Sequence, residues 1–139
     1  MFGRKKQPPI KSLIAQGMRV EGDLCFSDGL RIDGEVVGDV CASGEPSIVV
    51  VSELARVQGA LRASHIIVNG TVEGPVHASG LLELQPKARI SGNVHYLTLE
   101  MHQGALISGQ LCPALLELEE KLPLQLEANG AYTDSPSSG

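Results

Sequence analysis

The sequence predicts a single all-β domain, a parallel β-solenoid, and three observations carry that prediction. A five-residue figure, apolar-x-Gly-x-apolar, occurs six times; its apolar ends are Val20 and Leu24, Val36 and Val40, Val57 and Leu61, Val72 and Val76, Ile90 and Val94, and Ile107 and Leu111. Its glycines, Gly22, Gly38, Gly59, Gly74, Gly92 and Gly109, lie 16, 21, 15, 18 and 17 residues apart. Such spacing suits one coil of short strands and corners, and a repeat so short buries its apolar face only by stacking on its neighbours. Aromatic residues number four with no Trp, which fits a narrow interior filled by columns of Val, Ile and Leu.

Taken in order, residues 1–17 read as a flexible basic arm, proline-containing and without sustained periodicity, although Leu13 and Ile14 could add a partial strand. Residues 18–112 form about six coils. A pair of apolar residues two apart precedes most glycine figures: Leu30 and Ile32, Ile48 and Val50, Ile66 and Val68, Leu82 and Leu84, Leu99 and Met101. Spacing of two puts both members on one face of a strand. Each coil is thus a strand with paired aliphatics, a corner, and one or two strands around the glycine. Gly44, Glu45 and Pro46 mark an insertion that explains the longest interval, and Pro75 removes one ladder donor beside Gly74. In the acidic tail, residues 113–139, Leu115, Leu118 and Leu122 share one side of a short helix that Pro123 ends, and residues 131–139 read as disordered.

Stacking the coils on their glycines fixes the outward columns. Three residues after each glycine stand Cys25, Cys41, Arg62, His77, His95 and Cys112. Neighbouring coils are about 4.8 Å apart, so Cys25 and Cys41 stack at a distance compatible with a disulfide, though in a reducing cytosol they stay thiols. Three residues before each glycine stand Arg19, Glu35, Arg56, Thr71, Arg89 and Leu106, so opposite charges neighbour one another across the first three coils. Exposed pairs of this kind contribute only tenths of a kcal/mol.

The net charge of −5 is unevenly spread: residues 1–17 hold four basic groups and no acid, while 18–112 hold six basic and eleven acidic ones. This balance argues against nucleic acid as a partner. No run approaches the roughly 18 to 20 apolar residues of a membrane span. The start lacks the apolar run of a signal peptide, and Phe2 stands where myristoylation needs Gly, so a cytoplasmic protein is expected. His77 and His95 are expected as neighbours in a solvated column, with His65 and His102 elsewhere, and no catalytic, cofactor or metal constellation stands out.

The stretch Gly22-Asp23-Leu24, Leu30-Arg31-Ile32-Asp33-Gly34-Glu35-Val36 and Gly38-Asp39-Val40 resembles the signature of the bactofilins, a bacterial polymer-forming cytoskeletal family, and the likeness covers roughly residues 18–112. The resemblance implies a right-handed β-helix of triangular cross-section that polymerises end to end without nucleotide or other cofactor. It implies scaffolding of cell-wall enzymes or other envelope proteins, peptidoglycan hydrolases among them, with effects on cell shape, polarity or division. Family members commonly carry an aromatic residue near the C-terminal end of the core, where this chain has Leu106, Ile107 and Leu111. Met1, Phe2, Arg4, Lys5 and Lys6 resemble the arm with which many members touch the inner membrane.

Physical reasoning leads to assembly as well. The last coil of a solenoid exposes backbone donors and acceptors and an aliphatic cross-section, which template another chain unless covered. The expected contact is a head-to-tail homopolymer with Val20 and Leu24 at one end and Leu106, Ile107 and Leu111 at the other. Leu115, Leu118 and Leu122 could fold back as a cap. Each basic residue of the arm contributes about 1 kcal/mol at an anionic leaflet, and a polymer multiplies that attachment. The expected protein is therefore a non-enzymatic scaffold at the inner face of the cytoplasmic membrane. Two alternatives are a non-polymerising adaptor, docking partners through the tail and an apolar surface of Val37, Val49 and Ile67, and a left-handed β-helix acyltransferase. The latter's period of six is not matched by glycines four apart, such as Gly34 and Gly38.

Overall fold

A computed structural model gives the structure of residues 9–114. Its strands are β1 (Ser12–Ile14), β2 (Arg19–Glu21), β3 (Leu24–Phe26), β4 (Gly29–Ile32), β5 (Glu35–Val37), β6 (Val40–Ala42), β7 (Ile48–Val51), β8 (Arg56–Gln58), β9 (Leu61–Val68), β10 (Thr71–Glu73), β11 (Val76–Leu84), β12 (Arg89–Ser91), β13 (Val94–Tyr96), β14 (Thr98–Met101), β15 (Leu106–Ser108) and β16 (Leu111–Pro113). Every pairing is parallel and joins strands one coil apart. The fold is a parallel β-solenoid of about six coils with three faces. The first face stacks β2, β5, β8, β10, β12 and β15. On the second lie β3, β6, the start of β9, the start of β11, β13 and β16; on the third, β1, β4, β7, the remainders of β9 and β11, and β14.

The core is a set of columns, each contributed by one inward position per coil. Val36, Val57 and Val72 stack on the first face, Val40, Leu61, Val76 and Val94 on the second, and Ile32, Val51, Val68 and Leu84 on the third, all fully buried. Burying each such side chain contributes about 1.5–3 kcal/mol. β-Branched residues suit these positions because strands favour their stiff χ1.

The glycines of the repeat form a column at the corner between the first and second faces. Gly38, Gly59, Gly74, Gly92 and Gly109 all have φ between 143° and 155°. At each of them a Cβ would collide with the carbonyl oxygen of the glycine one coil below. The residue is therefore required twice over, by conformation and by close approach.

Corner length explains the irregular period. Between the third and first faces the chain uses two residues at Asp33-Gly34 and Asn69-Gly70, but four at 15–18, 52–55, 85–88 and 102–105. Gly34 nests against the Ala15 and Met18 carbonyls of the longer corner below, and Gly70 likewise against Ser52 and Ala55. The 21-residue interval combines a four-residue corner with the insertion at 43–47.

Three expectations change. β1 pairs with β4 and Ile14 is buried, so the solenoid begins at Ser12 rather than at residue 18. In β7 the inward pair is Val49 and Val51, which stack beside Ile66 and Val68; Ile48 sits at the buried corner and Val50 turns outward. A shift of one residue reverses every side chain of a strand, and the inserted loop hides where β7 begins. Val49 is consequently fully buried, which removes it from the apolar docking surface expected of Val37, Val49 and Ile67. Apart from Ala114, the expected tail helix lies outside the described residues, as do Met1, Phe2, Arg4, Lys5 and Lys6.

Candidate functional site at the ends of the solenoid

The terminal coils differ from the inner ones in what covers them. Among the described residues, β1, β2 and β3 at the N-terminal end pair only with β4, β5 and β6, and β14, β15 and β16 at the C-terminal end pair only with β11, β12 and β13. Each end thus presents one ladder edge on every face. Inward columns surface there. Met101 continues the column of Leu84 and is 47% exposed, and Leu111 continues that of Val94 and is 50% exposed, although Leu84 and Val94 are fully buried. Their positions within the coil are the same; what differs is that no described strand lies beyond them.

Four of the five residues expected at the contact occupy these inward columns. Val20 and Leu24 lie half-buried on β2 and β3, Ile107 half-buried on β15, and Leu111 exposed on β16. Leu106 belongs to β15 too, but it continues the outward column of Arg89 and is 58% exposed on the flank. Ile14 and Met101 complete the apolar cross-sections, beyond the residues expected there. The strand register places them there, since Ile14, Ile32, Val51, Val68, Leu84 and Met101 form one unbroken column; the sequence hint is the apolar pair Leu99 and Met101.

The flanks carry the other expected columns in the expected order. Cys25, Cys41, Arg62, His77, His95 and Cys112 are successive partners, and all three cysteines are free thiols. The His77 and His95 rings stack with centroids 4.4 Å apart and planes 6° from parallel. Arg19 meets Glu35 at 3.5 Å, but Arg56 turns to Glu73 at 2.7 Å instead of completing the ladder with Glu35. On the third face Glu83 and Glu100 are register partners, and His102 Nε2 lies 3.6 Å from Glu83. Their ligand atoms lie within 4.8 Å of one another, so these three could hold a cation. Spacing from the repeat glycines does not bring them together; the register of β11 with β14 does.

Electrostatics follow local partners. The Asp33 carboxyl is held below its usual range by the Ser52 hydroxyl that donates to it and by the Arg31 guanidinium. Burial pushes His65 down, against the pull of Glu83 and Glu100. No helix among the described residues is long and apolar enough to cross a membrane.

Compared with known proteins, residues 12–112 match a family model described as bactofilin, polymer-forming cytoskeletal. No curated protein and no solved structure matches the chain.

Proposed function

This chain belongs to the bactofilin family of polymer-forming cytoskeletal proteins, and on that premise we propose that it assembles end to end into nucleotide-independent filaments through its terminal coils. One observation carries the reading: among the described residues the apolar columns of the core run out uncovered at the ends, with Met101 and Leu111 about half exposed beside ladder edges that no described strand pairs. A second copy stacked there buries both the aliphatic cross-section and the backbone edge. In a head-to-tail stack, Val20 and Leu24 of one copy continue the columns of Ile107 and Leu111 of the next, and the parallel ladder runs on without a break. The filament serves as a scaffold at the inner face of the cytoplasmic membrane, held by many copies of the arm of Met1, Phe2, Arg4, Lys5 and Lys6, and positions envelope proteins. Its role is structural rather than catalytic.

Negative-stain electron microscopy of the nucleotide-free protein beside an Ile107→Arg variant tests the contact. Filaments are expected for the natural chain and small particles for the variant, whose charge has no partner in the junction. Filaments in both samples exclude Ile107 from the contact. Mild oxidation of the polymer reads its polarity, because a head-to-tail stack places Cys112 beside Cys25 of the next copy.

A further inference from the structure

A groove of about 500 Å³ runs along the second face, with Arg62, His77 and His95 on its floor and the inserted loop as one wall. The loop is pinned across two coils, where Ser79 Oγ donates to Glu45 at 2.7 Å. Two observations point to the occupant. Ala114, the last described residue, itself lines the groove, so the chain leaves β16 at its mouth. Arg62 is also the one arginine among the described residues without an acid or carbonyl partner: Arg19, Arg31 and Arg56 meet carboxylates, and Arg89 donates to backbone carbonyls.

The segment that follows Ala114 begins Leu115-Leu116-Glu117-Leu118-Glu119-Glu120 and so offers apolar and anionic side chains together. Arg62 lies three coils below Cys112. That distance is about 14 Å at 4.8 Å per coil; as the short helix expected of it, rising about 1.5 Å per residue, the segment carries Glu119 and Glu120 about 8–9 Å from Ala114, and the long glutamate and arginine side chains span the rest. Glu119 and Glu120 therefore reach Arg62. We propose that the acidic segment 115–122 of this chain's own C-terminus docks in the groove of the second face, with its carboxylates on Arg62. The tail then shields this face from other partners and leaves both ends of the solenoid uncovered, unlike a tail folded over the last coil. The assignment is independent of filament formation.

Alkylation of the full-length protein by iodoacetamide, resolved by mass spectrometry, tests it. Cys41 lines the groove and Cys25, its neighbour in the same column, does not. Replacing the tail acids (Glu117→Lys, Glu119→Lys, Glu120→Lys) is expected to raise the Cys41 rate about fivefold, the factor for a lost interaction of about 1 kcal/mol, without changing Cys25. Adding Arg62→Glu restores protection. Cys41 lies one coil in from the N-terminal end, so the comparison is made in the filament-blocked Ile107→Arg background, which removes the junction from the readout. An unchanged Cys41 rate in the triple variant overturns the proposal. Protection that scales with protein concentration assigns the groove to a second copy and overturns it equally.

Discussion

Pro75 stands directly above Ala60 in the corner column that follows the glycines, and what each lacks matches the other. At three other steps of this column a side-chain oxygen accepts the N–H one coil above: Asp23 from Asp39 at 3.0 Å, Asp39 from Ala60 at 2.9 Å, and Asn93 from Gln110 at 2.9 Å. Ala60 has no side-chain acceptor to offer and Pro75 has no N–H to satisfy. The proline is tolerated where the ladder has no bond to lose.

A double-mutant cycle should expose this relationship. Ala60→Asn alone adds an acceptor with no donor, and Pro75→Ala alone adds a donor with no side-chain acceptor. Together they recreate the bond seen at Asn93. The double variant is expected to exceed the sum of the singles by about 1 kcal/mol in denaturant unfolding; strict additivity would place the two residues out of contact.

The glycine column predicts a sharp contrast between two substitutions. Gly74→Ala puts a Cβ into the Gly59 carbonyl at a φ of 152° and should cost about 2–3 kcal/mol. At Gly44, in the inserted loop, an added Cβ would meet nothing within 4 Å, so Gly44→Ala should change stability by less than about 0.5 kcal/mol. Thermal unfolding of both variants checks the pair.

Acid should weaken the fold in two separate windows. His65 is held below its ordinary value of 6.5, so the unfolded chain takes up a proton first and stability falls as pH drops below 6.5. Asp33 is also held low, from 3.8; its contribution is complete above 3.8 and is lost as pH falls through the folded value. His65→Gln should remove the first loss and Asp33→Asn the second, as read by denaturation midpoints between pH 7 and pH 3. A midpoint profile unchanged by either substitution would contradict the assignment.

Attachment to membranes should require both the arm and the polymer. Flotation with anionic liposomes is expected for the natural chain, with marked losses in Phe2→Ala and in the filament-blocked Ile107→Arg variant, since a single arm with a few basic residues holds weakly. Equal flotation of all three would remove Phe2 and multivalency from the explanation.

Much of this architecture could be read from residue spacing alone. The glycine column, the columns from Val20 to Ile107 and from Leu24 to Leu111, and the outward order of thiols, Arg62 and imidazoles are repeats of local pattern, and stacking on a common glycine aligns everything within three residues of it. What lies farther from the glycine depends on corner length, which no local rule sets. Tertiary structure therefore decided that Val49 and Val51 face inward, that the coils begin at Ser12, that Met101 and Ile14 complete the ends, and that Ala114 meets the groove. The physical reason is the two-residue alternation of a strand: one added corner residue leaves composition unchanged but turns every following side chain to the opposite face until the next glycine restores the phase.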